Sequence, residues 1–147
     1  MSHSYSQNII HLVFSTKGRA KLINEALQPK LWAYIVGICK NEGVFVHAAG
    51  GTDDHLHCMI QLPATLSLAQ AINAIKSNSS RWMRQSSRLF VWQEGYAAFS
   101  VSASLLPTVS RYIENQKAHH RKMSFAEEFR ALLKKHGVEY DTRFVLG

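Results

Sequence analysis

Cysteine is scarce in this chain: Cys39 and Cys58 are its two, and their spacing matches no zinc site. Both stand among apolar neighbours, which predicts buried, reduced thiols rather than a disulfide framework. Acidic residues are also few, ten Asp and Glu against 17 Lys and Arg, for a formal charge of +7 and a sequence pI near 9.7. No apolar run is long enough to span a bilayer, and the polar stretch Met1 to Asn8 is no secretory leader. These absences predict a soluble, cytoplasmic protein with no membrane partner. No P-loop is present, so no nucleotide cofactor is expected. Internal repeats, low-complexity segments, linkers and a Lys/Arg tail are missing too. The basic charge therefore points to a structured face for a polyanion such as nucleic acid rather than to a loose arm.

What is present is one domain's worth of core. Of the 147 residues, 46% are hydrophobic. Ile9 to Ser15, Val44 to Ala49 and His55 to Leu62 read as strands, the last closed by Pro63. Gly50-Gly51-Thr52-Asp53-Asp54 is turn chemistry that joins the second and third strands as an antiparallel hairpin. Phe90-Val91-Trp92 and Tyr96 to Val101 read as aromatic strands, with a turn or bulge at Gln93-Glu94-Gly95. Helical spacing follows Asn24, with Pro29 in a possible first turn, and runs from Ser67 to Arg84. Ser104 reads as the cap of a helix reaching His119-His120. Ser124 with Glu127 reads as the capping box of a last helix ending at His136-Gly137. The tail after it carries Tyr140, Phe144 and Val145 and is expected to dock. The fold class is α+β: a single domain over 1–147, an antiparallel sheet with helices packed on it.

Chemistry concentrates at few positions. His55 and His57 flank Leu56 on a strand, so the two imidazoles share one face and make half of a divalent-metal site. Tyr112 and Gln116, four apart on a helix, share another face. Gln116 can add a carbonyl oxygen to such a site, and Tyr112 can act as a nucleophile beside it. Asp53 and Asp54 either orient a histidine or shape the turn, and turn chemistry is the reading taken. His120 reads as a basic helix-end residue, with phosphate contact and proton carriage as its other roles. Lys17 and Arg19 on a basic turn, and Lys76, Arg81 and Arg84 on a polar helix face, are the candidate contacts to a nucleic-acid backbone.

Taken together, His11-Leu12-Val13-Phe14-Ser15-Thr16-Lys17, Asp54-His55-Leu56-His57, Ile75-Lys76-Ser77-Asn78-Ser79-Ser80, Gly95 to Val101 and Tyr112-Ile113-Glu114-Asn115-Gln116 resemble the HUH single-tyrosine transposases of small insertion sequences, and the related REP-associated tyrosine transposases. The resemblance covers nearly the whole chain. It implies a ferredoxin/RRM-like HUH fold, and Mg²⁺ or Mn²⁺ bound by His55, His57 and Gln116. It implies Tyr112 as a nucleophile forming a 5′-phosphotyrosine, single-stranded DNA with hairpin ends as substrate, and a homodimer. Relaxases place their tyrosine upstream of the histidines; Tyr5 stands there, but the Tyr112/Gln116 pairing fits better. A domesticated hairpin-binding module and a hydrolytic metal phosphoesterase with a structural Tyr112 are the competing readings.

Overall fold

The structure is a computed structural model and describes residues 5–141. Four strands form one antiparallel sheet: β1 (Asn8–Ser15), β2 (Phe45–Gly51), β3 (His55–Leu62) and β4 (Ala97–Ser100), in the order β2-β3-β1-β4. Helices α1 (Gln28–Asn41) and α2 (Leu68–Met83) fall between them in sequence. The order β-α-β-β-α-β with these neighbours is the ferredoxin-like arrangement. Helices α3 (Leu106–Glu114), α4 (Gln116–His119) and α5 (Phe125–Lys135) follow.

Strand alternation divides the sheet into two unlike faces. Leu12 and Phe14 of β1 and Leu56, Cys58 and Ile60 of β3 point to one face and pack with Leu31, Ile35, Ala71, Ile72 and Ile75 of α1 and α2 in the main core. Both cysteines lie in it, buried and free, as expected. The opposite face carries His11 and Val13 of β1 and His55 and His57 of β3, and α3, α4 and α5 cover it.

Local chemistry explains most element ends. Ser67 caps α2 by accepting from the Gln70 N–H, and Gln70 Oε1 accepts from the Ser67 N–H, each at 3.1 Å. Ser124 caps α5 through the Glu127 N–H at 3.2 Å, but the Glu127 carboxylate returns to the Ser124 hydroxyl rather than to its backbone. Gly137, at φ 66°, supplies the left-handed residue that ends α5.

Several boundaries differ from the sequence reading. Asn24 Oδ1 accepts from the Leu27 N–H at 2.9 Å, but this caps a turn; α1 itself begins at Gln28 with Pro29 in its first turn. Ser104 is no cap: it lies inside a 3-10 turn, Ala103–Leu105, that leads into α3. The expected helix through His119-His120 breaks at Asn115 (φ −98°, ψ 23°) into α3 and α4. Phe90 and Trp92 are buried core residues, but apart from a bridge between Thr16 and Trp92 their segment forms no strand. The tail does not dock as expected over its described part: Val138 and Tyr140 are exposed, and Phe144 and Val145 lie outside the described residues.

The β2–β3 turn is shorter than its composition suggested. Gly50 and Gly51 stay in β2, paired with His57 and Leu56. A Cβ on Gly50 would lie 2.3 Å from the Ile113 carbonyl oxygen of α3. Only a glycine lets that helix backbone sit directly on the strand beside His57. Gly50→Ala is therefore expected to destabilise the protein by about 2–3 kcal/mol through overpacking, measured by urea unfolding. Gly37→Ala is the control: nothing lies within 4 Å of its added Cβ on α1, so a gain of about 0.5–1 kcal/mol is expected.

Candidate active site

The register of β1 and β3 sets the histidines. Val13 pairs with His57 and Ser15 with His55, so His11, two residues before Val13, lies diagonally beside His57 on the same face. The His11 and His57 rings stack with centroids 5.0 Å apart, and His11 Nε2 lies 2.8 Å from His57 Nδ1. His55 uses its Nδ1 differently: Asp54 Oδ1 lies 2.8 Å from it, and Thr52 Oγ1, itself bonded to Asp54, lies at 3.0 Å. Each ring therefore has a partner on its outer nitrogen and turns Nε2 inward, the arrangement that fixes metal-ligating histidines.

The inward nitrogens meet groups from the helices. Gln116 Oε1 is 3.0 Å from both His55 Nε2 and His120 Nε2. The other end of that amide donates to the Tyr112 carbonyl at 3.1 Å, which holds Oε1 towards the rings. Glu128 Oε1 is 2.9 Å from His57 Nε2, 3.0 Å from His120 Nε2 and 3.7 Å from His55 Nε2. Glu128 Oε2 accepts a hydrogen bond from the Tyr112 hydroxyl and lies 3.2 Å from His119 Nε2. His55, His57, Gln116 and Glu128 are all buried.

Burial sets the charges. It holds His57 neutral with its pKa lowered to about 4, and His11 likewise at about 3, with the neighbouring His57 adding to the effect. Burial also acts to raise Glu128, but the hydrogen bonds from His120 and His57 more than offset it and hold the carboxyl well below the usual range. Burial lowers the tendency of His120 to ionise, and its contact with Glu128 reverses that into a raised pKa. Burial and the adjoining Glu128 carboxylate push the Tyr112 phenol up.

The donor set fits a divalent cation. His55, His57, His120 and Glu128 offer ligand atoms within 4.8 Å of one another. His55 Nε2 and Gln116 Oε1 stand 3.0 Å apart, close enough for one cation to take both. Three imidazoles, a carboxylate and an amide oxygen suit Mn²⁺ better than Mg²⁺, which prefers oxygen and water.

All four residues singled out for chemistry, His55, His57, Tyr112 and Gln116, thus come together. His120 is not merely a helix-end base, since it faces the cluster, and Asp54 orients His55 besides closing the turn. Glu128 and His11 were missed. Glu128 was visible as an acid three residues after Phe125, on the buried stripe of its helix. The basic candidates lie elsewhere. Lys17 and Arg19 are exposed on a 3-10 turn tied to the site through the Thr16 N–H and Asp54 carbonyl (2.8 Å). Arg81 on α2 and Arg84, the residue that caps its end, are exposed in the layer behind the sheet. Lys76 departs from its expected role as a phosphate contact: its ammonium donates to the carbonyls of Gln93, Glu94 and Gly95 at 2.7–3.2 Å and so fixes that turn. Tyr5 is fully out in solvent at 92% exposure.

Fold and site together define a ferredoxin-like α+β protein with a buried His/Glu cluster against a tyrosine. Residues 4–116 match the family described as "Transposase IS200 like", and the chain belongs to that family. Two solved structures share the fold. One is a protein of Deinococcus radiodurans R1 provisionally described as a transposase, with TM-score 0.65 and 20% identity over 79% of this chain and 95% of that one. The other is a REP-associated tyrosine transposase bound to a REP hairpin, with TM-score 0.62 and 15% identity over 82% of this chain and 73% of that one. No curated protein matches the chain. Among the described residues no helix is long and apolar enough to cross a membrane.

The cluster predicts a measurable metal response. Mn²⁺ is expected to raise the melting temperature as a ligand of the native state does. Asp54→Ala should weaken Mn²⁺ about 10–100-fold by freeing the His55 ring, and Glu128→Gln by at least as much. Calorimetric titration checks both.

Proposed function

We propose that this protein is a metal-dependent single-tyrosine transposase that cleaves and rejoins single-stranded DNA at hairpin-marked ends. The observation that carries the reading is the Glu128 carboxylate. One of its oxygens faces His57 and His120, and the other holds the Tyr112 hydroxyl. A nucleophile and a cation-type donor set thereby meet on a single side chain.

His55, His57 and Gln116, with His120 and Glu128 beside them, would hold Mn²⁺ or Mg²⁺, which supplies Lewis-acid polarisation of a phosphate oxygen. The Tyr112 oxygen attacks phosphorus. A phosphorus–tyrosine oxygen bond forms and the bond to the 3′-oxygen breaks. The phenolic proton passes to the Glu128 carboxylate that accepts from it, and the 3′-oxygen takes up a proton from solvent, giving a 5′-phosphotyrosine and a 3′-hydroxyl. No bond energy is lost to hydrolysis, so a second 3′-hydroxyl reverses the step and joins new ends without ATP. Asp54 and His11 fix the ligand rings, and the Gln116–Tyr112 bond fixes the amide. Exposed Lys17, Arg19, Arg81 and Arg84 are proposed contacts to the DNA backbone. The working form is proposed to be a homodimer.

Incubation with a labelled hairpin-bearing single strand and Mn²⁺, followed by a denaturing gel, tests this. A covalent protein–DNA band is expected, reduced at least about a thousandfold in Tyr112→Phe. Nicking without that band would instead assign hydrolysis, and retention without cleavage would assign a binding module.

A further inference from the structure

The reaction proposed above needs a phosphate to reach the cluster and the phenol together, yet the cluster is sealed. His55 and His57 are 0% exposed and Gln116 is 1% exposed. One turn of α5 covers them. Phe125 lies flat on the His55 ring, with centroids 4.4 Å apart and planes 27° apart. Glu128, three residues on and so on the same helix face, sets Oε1 2.9 Å from His57 Nε2 and holds the Tyr112 hydroxyl with Oε2.

Two cavities flank that turn. One of about 620 Å³ is walled by Asp54, His120, Ser124 and Phe125 among others, and one of about 310 Å³ by His11, Tyr112, Met123 and Glu128 among others. They share no wall residue, and His55, His57 and Gln116 line neither. What separates them is α5 and the turn before it.

The anchorage of α5 is light. Phe125, Phe129 and Leu133 pack on Val13, Ala97 and Phe99 in a small cluster separate from the main core under α1 and α2. The chain enters the helix through exposed Arg121, Lys122 and Ser124, and Val138 and Tyr140 after it are exposed. A segment with few buried apolar contacts opens at a lower free energy than the whole domain unfolds.

We propose that α5 is a lid, closed in this structure, that swings on residues 121–124 to admit the scissile phosphate and recloses to return Glu128 to Tyr112. The inference rests on the strand-transfer reading above. A hinge there leaves His120 bonded to Gln116. Opening joins the two cavities into one groove across His55 and His57. Closing restores the proton acceptor and keeps water from the phosphotyrosine, so that the ester waits for a 3′-hydroxyl.

A reversible staple tests this. Thr108 of α3 and Lys135 of α5 are exposed on the wall of the smaller cavity, and both natural cysteines are buried. Bridging Thr108→Cys/Lys135→Cys with a bismaleimide that has a reducible centre ties the lid to α3, whose backbone is seated on Gly50. With a labelled hairpin-bearing single strand and Mn²⁺, stapling should cut the covalent protein–DNA band at least about a hundredfold, leave hairpin affinity within about twofold, and be reversed by reduction. Hydrogen exchange of metal-free wild type gives a reading that needs neither variant nor activity: α5 amides should exchange at least about tenfold faster than those of α1. A stapled protein that forms the band undiminished, or α5 amides as protected as those of α1, overturns the lid alone. Loss of hairpin binding on stapling assigns α5 to the binding face and also overturns it. An unstapled protein that binds the hairpin without forming the band overturns the strand-transfer reading, and the lid falls with it.

Discussion

The covered face of the sheet is organised around one buried negative charge. Glu128 is 2% exposed, and it is the only acid among the buried polar residues described. A carboxylate out of water is tolerated only when its lone pairs are met. Here they are met by His57, His120 and Tyr112, drawn from β3, the chain just beyond α4, and α3. The same bonds that stabilise the charge therefore fix three elements relative to the sheet. A neutral side chain of similar size would leave imidazoles and a phenol facing a gap. Docking of α5 and construction of the site are one event in this fold.

That coupling is possible because the sheet separates its duties. The face under α1 and α2 is almost wholly apolar and supplies the main core. The other face is free to bury histidines because stability does not depend on it alone. Its helices must still come close, and Gly50 permits this by accepting the α3 backbone where a side chain would collide. Glycine there serves the approach of Tyr112 more than the turn that its neighbours suggested.

What the sequence disclosed was set by periodicity. His55 and His57, two apart on a strand, and Tyr112 and Gln116, four apart on a helix, share faces for reasons internal to one element. Those pairs, the α+β class and the hairpin could therefore be read directly. His11 over His57 depends on the register of β1 against β3, which no local pattern contains. Glu128 stood on the apolar stripe of its helix, but a buried acid does not name its partners. Lys76 looked like a surface cation because the turn it clamps follows 17 residues later. In each miss, the deciding contact joins segments remote in sequence.

The two histidines of β3 look equivalent by spacing, yet their neighbours make them unlike. Asp54 places a carboxylate on the outer nitrogen of His55, while His57 has only the neutral ring of His11. A carboxylate partner makes an imidazole a stronger donor than a neutral one does. The inner sides differ as well. His55 faces Gln116, whose neighbour His120 borders the large cavity, whereas His57 faces Glu128 and, through it, Tyr112. One strand thus presents two imidazoles two residues apart, one towards the cavity wall and one towards the phenol. That difference follows from the neighbours of each ring rather than from the histidine pair itself.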